Sequence, residues 1–121
     1  MTTDLEQRTR ERIRIEPAVG SVVGNFHGAI LASTDKALVL HETGYDPVYY
    51  IPKDRVEMAY LRESDRRTTC PFKGEARYWS ITAEAQAADD AVWAYDEPHA
   101  GVAEIAGHVA FDPKKVTVAA D

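Results

Sequence analysis

The chain has 121 residues, 45% of them hydrophobic and 28% charged, with a formal net charge of −6 at pH 7. That length holds one domain, and the acidic balance argues against a surface for nucleic-acid phosphates, which needs clustered Lys and Arg. A single cysteine excludes an internal disulfide, a two-cysteine redox pair and a self-contained four-cysteine zinc knuckle.

Thr3 and Glu6 have the spacing of a capping box, so residues 4 to 11 are expected to form a short polar helix. It reads as an N-terminal extension to a β-rich domain running from residue 12 to 121. The opening lacks the apolar core of a secretory leader, and no run reaches the ~18 apolar residues of a membrane span; a cytoplasmic protein is expected. Arg12 to Glu16 alternates polar and apolar, as a half-buried strand does, and Pro17 ends it. Arg8, Arg10, Arg12 and Arg14 would line one face of an extended stretch, but Glu6, Glu11 and Glu16 offset them. A solvated or dimer-contacting face is the reading.

Short strands are expected at 21–24 and 29–32, with a returning strand of a hairpin at 37–40 after the Asp35-Lys36 turn. Val48 to Ile51 is rich in strand formers, and Pro52 opens one helical turn through Arg55. Glu57 to Leu61 reads as a strand and residues 62–69 as an exposed connection. Residues 76–82 and 91–95 are aromatic strands joined by the polar EAQAADD. A helix is expected over 99–105, stopping at Gly107, then a closing hairpin of 108–111 and 116–118. About eight short strands with two or three helical turns imply a rolled antiparallel sheet, not a βαβ repeat.

The densest chemical feature is Cys70-Pro71-Phe72-Lys73-Gly74-Glu75. Nearby positive charge turns a thiol into a nucleophile. Lys73 reaches Cys70 if Pro71 to Gly74 turns tightly, and Glu75 or His108 would then handle the proton. The plainer reading is a buried thiol at a strand edge beside a well-formed turn. Tyr50, Trp79, Trp93 and Tyr95 lie on the strands around this loop and are candidates to line a pocket and stack on a flat ligand. As single residues, they are more simply core. His27, His41, His99 and His108 are scattered, with no metal-ligand spacing, so no metal and no cofactor are expected. Walker, GxGxxG and GxSxG patterns are absent.

The order of pieces resembles a known family. Gly28-x-x-x-Ala32-Ser33, Val48-Tyr49-Tyr50-Ile51-Pro52, Cys70-Pro71-Phe72-Lys73-Gly74, Ala76-x-Tyr78-Trp79-Ser80, Trp93-x-Tyr95-x-x-Pro98 and Ile105 through Phe111 follow one another as in the domain of unknown function (DUF) 427 family. The resemblance covers residues 12 to 118. It implies a small tent-like β fold with a pocket between sheets, a fold also used by B-type methionine sulfoxide reductases, zinc-binding chaperones of small GTPases and thalidomide-binding domains. The family is also labelled nucleotidyltransferase-like, but no metal-carboxylate pair or Gly-Ser nucleotide motif stands here to match that label. The chain departs from the family pattern at Asp54-Arg55-Val56, where relatives often carry Glu-Asp before the valine, and it lacks the four cysteines of zinc-holding relatives of the fold.

Three functions follow in order of preference. The first is a binding module for a small planar or anionic molecule, with Tyr50, Trp79, Trp93 and Tyr95 as walls and Lys73 at the rim. The second is an enzyme using Cys70 as nucleophile or redox thiol. The third is an interaction or structural domain, joined as a homodimer through the Arg-rich N-terminal strand. Neither nucleic acid nor membrane is an expected partner.

Overall fold

The computed structural model describes residues 3–120. The Thr3 hydroxyl accepts the Glu6 amide at 3.0 Å and so caps helix α1 (Asp4–Arg12). Acids sit in its first turn and arginines in its last, as the helix dipole favours. The N-terminal arginines therefore do not share an extended face. Arg8 pairs with Asp4 and Arg10 with Glu6 one helical turn away. Thr9, the one buried residue of α1, packs on Gly101, where a Cβ would stand 2.8 Å from the Thr9 Cβ and Cγ2. Only glycine allows this approach, which presses the helix onto a 3-10 segment at Ala100–Ile105.

Ten strands follow: β1 (Ile13–Pro17), β2 (Val22–Phe26), β3 (Ala29–Thr34), β4 (Leu38–Glu42), β5 (Val48–Pro52), β6 (Leu61–Cys70), β7 (Gly74–Ala83), β8 (Gln86–Ala94), β9 (His108–Phe111) and β10 (Thr117–Ala120). They form a seven-stranded sheet of order β1-β4-β5-β9-β8-β7-β6 and a three-stranded sheet of order β10-β2-β3, all pairs antiparallel. Neither sheet closes into a barrel, so the protein is mainly β, as its residue pattern implies. Among the described residues no helix is long and apolar enough to cross a membrane.

Several local expectations are corrected. Residues 62–69 are not a loop; they make most of β6, an edge strand whose charged residues blunt further pairing. The strand expected at 57–61 is instead a 3-10 turn at Met58–Tyr60. In EAQAADD only Glu84 and Ala85 turn, both at positive φ, and the remainder is strand β8. The helix expected over 99–105 is the 3-10 segment, broken by Val102 at φ −132°. Two expected hairpins do not form: β3 pairs with β2 while β4 pairs with β1 and β5, and β10 pairs with β2 while β9 lies between β5 and β8. In both places the chain crosses between sheets.

Strand alternation divides the apolar residues between the two faces of the large sheet. One face meets the small sheet through Ile51, Trp79, Ile81, Val92, Val109 and Phe111, packed against Phe26 and Leu31. The other carries a smaller cluster in which Ile13, Leu40, Tyr50, Tyr95 and Ala110 pack with Val102 and Ile105 of the 3-10 segment. This second face is concave. Glu42 ends β4 and Lys73 precedes β7, four strand steps away in the sheet, or roughly 19 Å if the sheet were flat. Their side chains nevertheless meet at 2.8 Å.

Candidate functional site

The Cys-Pro-Phe-Lys-Gly segment is the turn between β6 and β7. Cys70 pairs with Gly74, leaving Pro71, Phe72 and Lys73 to reverse the chain. Gly74 has φ +113°, and an added Cβ would crowd the Glu97 carbonyl at 3.4 Å; a side chain there would be strained. The Lys73 carbonyl accepts the His99 amide at 3.0 Å, tying the turn to the segment before the 3-10 helix. Phe72 packs on the smaller apolar cluster, with the Arg12 guanidinium 4.9 Å from its ring centre. The turn is held on both sides, and Lys73 is directed inward.

Inside the concave face lies a cavity of about 670 Å³, with Tyr50, Tyr78, Trp93 and Tyr95 among its walls and Cys70, Lys73 and Glu42 also lining it. Its depth is marked by exposure: Tyr50 is 1% and Tyr95 7% exposed, and the side chains of Lys73 and Glu42 are 13% each. Trp93 Nε1 donates to the Tyr50 hydroxyl at 3.3 Å. Tyr78 shares a 2.8 Å hydrogen bond with the Thr68 hydroxyl, and its ring lies 6.5 Å from that of Trp93, tilted by 45°. Tyr78 and Trp93 face one another across paired strands β7 and β8, so the aromatic wall follows from register.

Burial pushes the Tyr50 phenol well above the usual value of 10.0, and burial followed by the nearness of Cys70 does the same for Tyr95. Both stay neutral hydrogen-bond donors. For Lys73, burial alone would lower the pKa, but the hydrogen bond from its ammonium to Glu42, then the nearness of Cys70, Glu42 and Tyr50, raise it. All three groups hold their protons more tightly in the fold than in the unfolded chain. Their contribution is therefore intact below about pH 10 and is lost as pH rises further, because the unfolded chain releases its protons first. Denaturant unfolding should show stability falling as pH is raised from ~9 to ~11, and less steeply in Tyr50→Phe.

Five of the residues that the sequence singles out meet at this cavity: Tyr50, Cys70, Lys73, Trp93 and Tyr95. Three do not. Trp79 points through the other face of β7 into the inter-sheet core, 4% exposed, with Arg77 at 4.6 Å and Lys53 at 5.1 Å from its ring centre. Glu75 is on that same opposite face, in a separate charged recess with Arg67, Arg77 and Asp96. His108 donates from Nδ1 to the Ala106 carbonyl at 2.9 Å and lies outside the cavity lining. Neither Glu75 nor His108 is placed to serve Cys70. Tyr78 and Glu42 join the site without a place among the sequence candidates. Tyr78 is legible in retrospect, since it alternates with Ser80 and Thr82 while Trp79 alternates with Ile81 and Ala83, an apolar run that marks the core side. Nothing in the sequence signals Glu42, which is 31 positions from Lys73.

Among the described residues no group of three or more His, Cys, Asp or Glu side chains is arranged to hold a metal ion. A family model described as a domain of unknown function (DUF427) matches residues 14–121. No curated protein matches the chain.

Proposed function

The chain belongs to the DUF427 family, and we propose that it is a binding module holding a small flat molecule in the concave face of its large sheet. The observation that carries this reading is the open aromatic cavity with an ion pair in its depth. A space of about 670 Å³ in so small a chain forfeits the contacts that larger side chains would make there. The Lys73–Glu42 pair lies at 13% exposure, where desolvation offsets most of its attraction. Both features lower stability relative to a filled, apolar face. They are the features of a ligand site, in which apolar and aromatic walls give contact area and a few polar groups fix orientation. The ring faces of Trp93 and Tyr78 suit a planar molecule.

The test is a thermal-shift screen of flat metabolites on the parent protein and on Trp93→Ala. A ligand at 100 times its Kd stabilises by about 2.7 kcal/mol. The expected result is a rise in melting temperature in the parent that disappears in Trp93→Ala. A screen without any such rise, or a rise equal in both proteins, rejects the reading.

One observation favours a cysteine-dependent reaction as the second reading: Cys70 is partly exposed and opens on the same cavity as Lys73. Under it, Cys70→Ser keeps binding but abolishes conversion of the bound molecule, read by mass spectrometry of the ligand after incubation.

A further inference from the structure

The polar groups of the cavity are sorted by depth. At the deep end stand three donors beside one carboxylate, Glu42, which Lys73 already pairs. The Tyr50 hydroxyl accepts from Trp93 Nε1, which leaves its own proton free. Tyr95 is more than nine-tenths buried and lines the cavity, and its hydroxyl makes no hydrogen bond to any described residue. Lys73 gives one N–H to Glu42 and keeps two. These protons are taken by no protein acceptor among the described residues, so an acceptor brought to this end gains hydrogen bonds that the protein alone does not make.

The outer part has the opposite character. Asp46, Asp89, Asp90 and Asp112 line it against Arg66 and Lys115. The four carboxylates outnumber the two cations; Lys115 Nζ donates to the Asp89 backbone carbonyl at 2.6 Å, and the Arg66 guanidinium lies 5.1 Å over the Tyr78 ring. Arg66 also indicates what that ring face takes, because the negative face of an aromatic ring attracts cations.

We propose that the cavity takes a bipolar ligand. Its carbonyl or carboxylate oxygen meets Tyr50, Tyr95 and Lys73, its flat body lies against Trp93 and Tyr78, and its positive group faces the acidic mouth, displacing Arg66 from Tyr78. The proposal rests on the binding reading above and sharpens it: of the planar and anionic molecules expected from sequence, a dianion is the wrong class, and an ammonium-bearing acid, or a flat amide with a basic group, is the right one.

The test uses four para-substituted or simple benzenes that share one ring: 4-(aminomethyl)benzoic acid, benzoic acid, benzylamine and terephthalic acid. Titrations are followed on the Trp93 indole N–H by NMR, assigned by its loss in Trp93→Phe. The expected order places 4-(aminomethyl)benzoic acid about tenfold tighter than either benzylamine or terephthalic acid. Tyr95→Phe should weaken the two monocarboxylate probes about fivefold and leave benzylamine unchanged. Asp89→Asn should weaken only the two ammonium probes. Terephthalic acid binding as tightly as the bipolar probe, or carboxylate binding indifferent to Tyr95→Phe, overturns the bipolar assignment while leaving the binding module standing. If no probe moves the Trp93 N–H at millimolar concentration, the bipolar assignment falls, and the binding reading is decided separately by the thermal-shift screen.

Discussion

Glu42→Leu destabilises the fold by about 3 kcal/mol, and adding Lys73→Met to it recovers most of that loss. Lys73 Nζ and Glu42 Oε1 stand 2.8 Å apart with both side chains 13% exposed. Removing the carboxylate leaves an ammonium among phenol rings with no counter-charge. For fully buried pairs such a deletion costs ~3–5 kcal/mol, and the opening of this cavity to solvent places the cost at the lower end. Replacing both partners by apolar side chains of similar length removes the desolvation of both charges, which is commonly neutral for stability. Urea unfolding of the parent, the single variant and the double variant measures this directly. The double variant should match the parent in stability and yet lose its ligand-induced thermal shift. A double variant as unstable as Glu42→Leu would mean that the pair is structural, and the case for it as part of a binding site would go.

Leu31→Ala has an effect of similar size and opposite meaning. Leu31 is fully buried on β3, in the core between the sheets and away from the cavity. Truncating such a leucine costs about 3 kcal/mol, from lost transfer energy and the void left behind. In a chain of this length that lowers the melting temperature by about 10 °C. The folded remainder should bind the ligand with unchanged affinity, since no wall of the cavity is touched. A drop of less than ~1 kcal/mol would show that the contact between the sheets is not what holds the fold. Together the two experiments separate the faces of one sheet, the inner for stability and the concave for binding.

The residues reveal elements better than their partners. Ile13–Pro17, whose alternation separates a buried from an exposed side, and Val48–Pro52, rich in strand formers, are legible one at a time. β6 is not, because an edge strand needs little apolar surface and RESDRRTT reads as a solvated loop. The turns after β3 and β9 look like hairpin turns, yet each carries the chain to the other sheet. Pairing of that kind depends on where the sheets meet, which no local pattern contains. The same limit governs the site. The turn at Cys70 to Gly74 and the alternation of Trp93 with Tyr95 can be read from sequence, whereas Glu42 reaches Lys73 only through the curl of the whole sheet. Trp79 lies on the core face and not among the pocket walls, and its apolar neighbours Ile81 and Ala83 carry that information.

Cys70 is the only cysteine of the chain and opens on the cavity, so its alkylation reports one place alone. The most direct measurement is the rate of iodoacetamide labelling at neutral pH, with and without a saturating flat ligand found by thermal shift, followed by intact-protein mass spectrometry. Occupation of the concave face predicts labelling at least about tenfold slower in the ligand's presence, by exclusion of the reagent from the thiol. Equal rates with the ligand fully bound would place it elsewhere and contradict the account.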